Sequence, residues 1–333
     1  RMKRARAAVV ASIAAFISVA AVAEARYVPP RTSDGKPDLQ GVWTNASLTT
    51  LERAPQYSSL VIPAADVVRV TNEHPQTIRQ RTDDDLSATK GPLDGSDLKS
   101  GRGYNAFWTD PGSHFGVVNG QHRASWIVEP LSGRIPYSER ARVLIAALPR
   151  DNFDGPEMRP LAERCLAIGG RVGPPMINGL YNNNYQIVQT ADHVVILVEM
   201  VQHARVIRLD RAHASRSVQP LFGDSVGRWD GDTLEVETTN FSPLHARGAN
   251  PAYLSDSAIV IERFTRVSPT QILYEFSVED PQLYTQVWRG ELTFEAAKGP
   301  VYEYACHEGN YALTGVLSGA RAQEQRVPGK TSP

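Results

Sequence analysis

Three side chains suited to acid–base chemistry lie close together within an apolar part of the sequence. Glu199, His203 and Arg205 stand between the hydrophobic runs 194–198 and 206–209. Residues two or four positions apart on a strand face the same side, so one inward-facing strand would direct all three into a single cavity. There Glu199 and His203 could exchange protons with a substrate while Arg205 binds an anionic group. Two alternatives stay open: a structural ion-pair network, and a tight turn at 200–202 that breaks the shared face.

His307 is a third candidate catalytic residue, at the end of the segment Tyr302-Glu303-Tyr304-Ala305-Cys306. Neighbours on a strand point to opposite faces, so only one of His307 and Glu308 would point inward; a helix-start role for His307 is the alternative. Aromatic and amide side chains are predicted to contact the substrate: Tyr181, Asn183, Asn184, Tyr185, Trp229, Tyr304 and Trp108. Consecutive asparagines also form turns, and Trp229 could equally be a core aromatic.

The spacing of His, Cys and Gly residues does not support a metal or nucleotide cofactor. The sequence has no His-Glu-x-x-His and no Cys-x-x-Cys spacing, which are common patterns of zinc sites. It also has no Gly-x-Gly-x-x-Gly and no Gly-x-x-x-x-Gly-Lys-Ser/Thr, so a phosphate cradle is not indicated. We therefore predict no metal and no cofactor.

The first 25 residues are predicted to be a secretory signal peptide. Four basic residues precede the apolar run 7–23, which ends in small residues typical of cleavage sites. Without this leader, 31 basic and 35 acidic residues remain, a formal charge of −4. A chain without basic excess does not favour a nucleic-acid partner. We expect a periplasmic or secreted bacterial protein without a lasting membrane anchor, and the sequence does not indicate its oligomeric state.

Cys165 and Cys306 are the two cysteines of the chain. In an oxidising compartment they could form a disulfide, because such bonds persist outside the cytosol. Two unpaired buried thiols are the alternative, since pairing depends on the separation of the Cα atoms.

Alternating apolar and polar residues predict a β-meander over 181–308. Residues 271–279 place Ile272, Tyr274, Phe276 and Val278 on one face, and Asp230-Gly231 marks a hairpin turn. Further strands are predicted at 185–190, 193–201, 204–209, 223–229, 232–239, 258–266, 283–295 and 300–306. This succession is typical of an antiparallel up-and-down barrel, and thus of a mainly β fold.

The remaining segments are predicted to elaborate a single barrel domain over 26–325. Residues 26–180 would supply the first strand and a helical and loop cover, with helices at 62–90, 138–148 and 160–167. Residues 309–325 would form a C-terminal helix, and residues 326–333 a disordered tail.

Several motifs resemble an uncharacterised family of secreted bacterial proteins. These are Asp38-Leu39-x-Gly41-Val42-Trp43, the stretch 183–189 (NNYQIVQ), the stretch 223–234 (GDSxGRWDGDTL) and the stretch 302–308 (YEYACHE). This resemblance implies no particular activity. The Gly41-x-Trp43 start is also similar to that of lipocalin-type barrels, in which the Trp lies beneath a late Arg; Arg289 is one such partner here.

Together these features predict an exported lipocalin-like barrel enzyme acting on a small organic molecule, apolar or aromatic and possibly anionic. The chemistry would be metal-independent acid–base catalysis of the lyase, isomerase or hydrolase type. The alternative is a non-catalytic periplasmic protein that binds a small ligand in the same cavity.

Overall fold

The computed structural model describes residues 27–88, 109–148, 152–168, 170–247 and 252–326. The predicted signal peptide, Trp108 and nearly all of the predicted tail lie outside these residues. No helix among them is long and apolar enough to cross a membrane.

Twelve strands and four α-helices make up most of the regular structure in the described part of the chain, and the fold is mainly β as predicted. The strands are β1 Gly41–Thr44, β2 Val117–Val118, β3 Gln121–His122, β4 Ile127–Glu129, β5 Asn184–Gln189, β6 His193–Val198, β7 His203–Leu209, β8 Asp224–Asp230, β9 Thr233–Thr239, β10 Ile259–Ser268, β11 Gln271–Glu279 and β12 Trp288–Ala296. The helices are α1 Val67–Glu73, α2 Pro75–Ala88, α3 Glu139–Ala146 and α4 Tyr311–Arg326.

Nine strands close into a barrel in the order β1-β5-β6-β7-β8-β9-β10-β11-β12, with β12 returning to β1. β4 continues the wall beside β12. Every neighbouring pair in the ring is antiparallel except β7 and β8, which run parallel. Residues 210–223 connect these two strands and return the chain to the end of the barrel where β7 begins. The predicted barrel is therefore confirmed, but it is mixed rather than a pure up-and-down meander.

The alternation in β11 shows how the sequence forms this wall. Ile272, Tyr274, Phe276 and Val278 are buried, while the residues between them are partly exposed. The same alternation holds in β6, β7 and β10. Burying one face of each strand therefore fills the lumen with side chains.

The lumen also contains a stretch of chain, residues 171–177, which we call the inner segment. All seven residues are buried, and the inward Tyr274 hydroxyl accepts a hydrogen bond from the backbone N–H of Met176 at 2.9 Å. The Tyr185 hydroxyl donates to the carbonyl oxygen of Arg171 at 3.3 Å. The barrel is thus filled rather than an open cup.

One end of the barrel, the tryptophan end, is closed by Trp43. The guanidinium carbon of Arg266 lies 5.4 Å from the Trp43 ring centroid, and the Trp43 indole donates to the carbonyl of Leu39 at 2.9 Å. Arg289 is instead paired with Glu129 at 2.5 Å on the surface. The pairing expected of Arg289 is therefore made by Arg266.

The helical predictions had mixed outcomes. α3 begins after Ser138, whose hydroxyl accepts from the Ala141 N–H at 3.1 Å, and α4 forms where the C-terminal helix was predicted. The helix expected over 62–90 is shorter and broken at His74 between α1 and α2, because His74 precedes Pro75 and takes an extended conformation.

Two further predicted elements do not form. Residues 160–167 form turns instead of a helix, and residues 300–306 form no strand.

Candidate functional site

Glu199 and His203 do not share one strand. Glu199 precedes a 3₁₀ turn at Met200–Gln202, and His203 is the first residue of β7. Val201 and Gln202 have φ values of 55° and 52°, which reverse the chain tightly. The expectation of a single strand over 199–205 was therefore wrong, and the alternative of a tight turn is what forms. No hydrogen bond joins Glu199 to His203 among the described residues.

Glu199 is buried and bound by its own neighbours. Its Oε2 accepts from Asn184 Nδ2 at 2.8 Å, and its Oε1 from the backbone N–H of Tyr302 at 3.4 Å. The carboxylate thus ties the start of β5 to the segment that precedes α4.

His203 and His245 both pack against Phe222, at the barrel end that we call the histidine end. The His203 and Phe222 ring centroids are 4.6 Å apart, and those of Phe222 and His245 are 6.0 Å apart. Burial lowers the pKa of His203 to about 4, helped by the charge of Arg205, and burial also lowers the pKa of His245 to about 4. Both imidazoles are therefore neutral at pH 7.

A small cavity of about 20 Å³ lies beside His245, room for one water molecule. Gly170, Pro174, Phe222 and Ala252 line it together with His245. His245 Nδ1 is buried and has no hydrogen-bond partner in the described structure. A buried polar atom without a partner is costly, so this nitrogen favours a water or ligand atom beside it.

Arg205 lies in the barrel interior, as its position on β7 predicted, but its charge is used within the protein. Its Nη1 donates to Glu262 Oε1 at 2.9 Å, its Nη2 also reaches Glu262, and its other bonds go to Ser225 Oγ at 3.1 Å and Thr238 Oγ1 at 2.9 Å. Tyr274 donates to the same carboxylate at 2.7 Å. The guanidinium of Arg205 thus has no free face among the described residues, and its contacts do not support the predicted anion-binding role.

Arg171 was not predicted, and it is the guanidinium at this end without a carboxylate. Its exposed fraction is 8%, and its Nε is buried with no partner. The Tyr181 ring lies 5.4 Å from its guanidinium carbon, and Tyr304 is close enough to influence its pKa, which burial lowers. Two predicted contact residues, Tyr181 and Tyr304, thus lie near this arginine, which stands in a Gly- and Pro-rich stretch of the sequence.

The other predicted contact residues have structural roles or lie elsewhere. Asn183 is buried, and its amide bonds to Gly179 and to the carbonyl of Asp110, so it shapes the loop as the turn alternative proposed. Tyr185 is buried with its hydroxyl on Arg171 and Asn45. Trp229 pairs with Leu234 at the tryptophan end. His307 is exposed in a turn, and no hydrogen bond or ring contact joins it to Glu199 or His203 among the described residues, so the structure gives no support to a catalytic group of these three.

Gly223-Asp224-Ser225-Val226-Gly227 has the spacing of a serine-nucleophile elbow. Such an elbow places the serine on an exposed strand-to-helix turn. Ser225 instead lies within β8 and is buried, with its hydroxyl bonded to Arg205 and Thr238. The pattern here is a strand whose inward serine joins the polar network.

A larger cavity, of about 320 Å³, lies between residues 56–63 and α1. Its charged side chains satisfy each other, because Arg69 binds both Asp66 and Glu73 at 2.9 Å. Nothing in its lining is buried and unpartnered, so it is a weaker site than the histidine end.

No group of three His, Cys, Asp or Glu residues in the described part of the chain is placed to hold a metal ion. Comparison with known proteins adds no family: the chain has no significant match among protein-family models, curated proteins or solved structures.

Proposed function

We propose that this protein binds a small organic molecule at the histidine end of its barrel. One observation carries the proposal: Arg171 and His245 each have a buried nitrogen without a hydrogen-bond partner. Arg171 belongs to the inner segment, and His245 lines a small cavity together with other residues of that segment. Small-ligand sites combine apolar walls with a few such polar groups. Phe222 provides an aromatic surface beside His245, and Tyr181 and Tyr304 provide one near Arg171.

The filled lumen places the ligand at the end of the barrel rather than deep inside it. The closure by Trp43 and Arg266 supports a likeness to lipocalin-type barrels at the level of fold. The inner segment and the parallel β7–β8 pair depart from an open lipocalin cup. The ligand would therefore contact the inner segment and not replace it.

Acid–base catalysis at the same end is the second candidate, and the burial of Glu199 favours it. A buried carboxylate can serve as a proton acceptor or donor. However, a histidine with a pKa of about 4 is a weak base at neutral pH, and Glu199 is bound by Asn184 and Tyr302. Binding therefore has the better support.

A thermal-shift screen of the purified protein tests the proposal. Aromatic acids, terpenoids, lipids and sugars would be added, and each stabilising compound would be examined by mass spectrometry after incubation. A compound that raises the melting temperature and is recovered unchanged supports binding. A compound that is consumed by the wild type but not by His203→Gln would establish catalysis instead. If nothing in any class shifts the melting temperature, the binding proposal fails.

We also propose that the protein is exported. The leader-like residues 1–25 and the disulfide between Cys165 and Cys306, with Cα atoms 5.7 Å apart, both support this. Expression in a bacterial host, fractionation and N-terminal sequencing would test it. A chain recovered uncleaved in the cytosol with free thiols would contradict export.

A further inference from the structure

Buried arginines in this protein follow a rule with one exception. Four of the described arginines have an exposed fraction below one tenth, namely Arg123, Arg159, Arg171 and Arg205. Three of them pair with a glutamate: Arg123 with Glu291, Arg159 with Glu163 and Arg205 with Glu262. Arg171 has no ion pair and donates no hydrogen bond among the described residues. Among the described residues, each buried guanidinium group is thus paired with a carboxylate except that of Arg171 at the histidine end.

The surroundings of Arg171 are aromatic rather than acidic. The side chains that act electrostatically on it are Tyr185, Tyr181 and Tyr304, and no carboxylate is among them. Phenol groups that remain protonated do not cancel a positive charge. Burying an unpaired charge is unfavourable, so an anion brought to Arg171 would relieve a cost that the free protein bears.

Arg171 is also held in position before any ligand arrives. A Cβ atom on Gly179 would lie 1.3 Å from Arg171 Nη1 and 2.4 Å from its Cζ, so the guanidinium packs directly on the glycine backbone. The backbone carbonyl oxygen of Arg171 accepts a hydrogen bond from the Tyr185 hydroxyl. Its guanidinium group lies near the Tyr181 ring. A side chain ordered in this way loses little further freedom on binding.

We propose that Arg171 binds the carboxylate of a small organic ligand, an assignment that rests on the proposed binding function. A guanidinium presents paired N–H donors that match the two oxygens of a carboxylate. The rings of Tyr181 and Tyr304 offer the organic part of the ligand an apolar surface, which a free inorganic anion would not use. Arg171 therefore takes the role that the sequence assigned to Arg205.

Matched pairs of acids and primary amides test this assignment. Calorimetry would compare benzoate with benzamide, phenylacetate with phenylacetamide, and octanoate with octanamide, alongside acetate and inorganic phosphate. At least one carboxylate should bind the wild type at least about tenfold more tightly than its amide, since hydrogen bonds to a charged group are stronger than neutral ones. Acetate and phosphate should bind more weakly than that carboxylate.

Three variants locate the effect. Arg171→Met should remove the preference for the acid, and Gly179→Ala should do so with the arginine retained, because the added methyl displaces the guanidinium. Arg289→Gln, which alters an exposed arginine paired with Glu129, should leave binding unchanged. Gly179→Ala keeps the test valid if Arg171→Met fails to fold, because only the end of a flexible side chain must move.

Several outcomes would overturn the assignment. Equal binding of acid and amide, or an acid preference that survives both Arg171→Met and Gly179→Ala, would refute it and leave the binding function standing. Phosphate binding as tightly as every carboxylate would show a general anion site instead. If no acid binds while the wider screen finds another ligand, the assignment fails and the function does not; if that screen is also empty, both fail.

Discussion

Replacing His245 by Leu should make this protein less sensitive to acid. His245 is 4% exposed, packs against Phe222 and Phe241 and has no charged partner in the described part of the chain. Burial lowers its pKa from 6.5 to about 4, so the unfolded chain binds a proton at a higher pH than the folded protein does. The contribution of neutral His245 to the free energy of unfolding is therefore complete above pH 6.5, decreases as the pH drops toward 4, and is lost below pH 4.

The magnitude follows from the difference of the two pKa values. At 1.36 kcal/mol per pKa unit, acidification from pH 7.5 to pH 4 should cost about 3 kcal/mol of unfolding free energy through His245. In His245→Leu this contribution of the histidine is absent. The free energy of unfolding should therefore fall by about 3 kcal/mol less between pH 7.5 and pH 4 than in the wild type. At pH 7.5 the two proteins should differ by less than about 1.5 kcal/mol, because the substitution roughly conserves volume.

Urea unfolding followed by tryptophan fluorescence at pH 7.5, 6, 5 and 4 would measure this difference. His307→Leu is the matched control, because His307 is exposed in a turn and should leave the pH dependence unchanged. If wild type and His245→Leu lose the same free energy between pH 7.5 and 4, His245 is not buried as a neutral group, and the account of the histidine end is refuted.

Three other changes should act through identifiable contacts. Glu262→Gln leaves the charge of Arg205 buried and unpaired, so urea unfolding should show a loss of about 3–5 kcal/mol. Gly290→Ala would place a Cβ 2.3 Å from the Phe276 ring, and the same assay should show a loss of about 1–3 kcal/mol from overpacking. Cys165→Ser opens a disulfide that closes a sequence separation of 141 residues, and the expected loss is about 2–5 kcal/mol.

Each of these changes has an internal control. Arg205→Met combined with Glu262→Gln should cost less than the sum of the single changes, because no uncompensated charge remains; simple additivity would show that the pair is not coupled. Gly315→Ala in α4 has open space around its Cβ and should be neutral or stabilising. Reduction of the wild type should reproduce the loss seen in Cys165→Ser, and an unchanged midpoint would show that the disulfide does not form.

Local patterns were sufficient to predict most of the barrel wall. The alternation in 271–279 and the Asp230-Gly231 turn depend on neighbours in sequence, and β11 and the β8–β9 hairpin form as expected. The parallel pairing of β7 with β8 was not predictable in this way. Its cause lies in residues 210–223, which contain no signal for the direction in which the next strand enters the sheet.

The candidate site was predicted less well because its contacts are distant in sequence. Periodicity correctly placed Arg205 in the interior, but its partner Glu262 lies 57 residues later on β10. An arginine predicted to face inward cannot be assigned a ligand-binding role until its potential partners are known. The tight turn after Glu199 likewise depends on two residues with positive φ that are not glycine.

The inner segment is the largest structural feature that the sequence did not predict. Residues 169–175 read Gly-Gly-Arg-Val-Gly-Pro-Pro, a composition typical of a surface loop. The burial of residues 171–175 results from closure of the barrel around them, which no local pattern expresses.

Arg171 and Arg205 show why stability and function separate in this barrel. Both guanidinium groups are buried, yet only Arg205 has a carboxylate to offset the loss of hydration. Removing the partner of Arg205 should therefore destabilise the fold, whereas removing the charge of Arg171 in the absence of ligand should cost little or even stabilise it. A buried charge that the fold does not neutralise carries an energetic cost, and under our proposal that cost is recovered when an anion binds. The paired arginine thus belongs to the architecture, and the unpaired one marks the end of the barrel where we propose that the ligand binds.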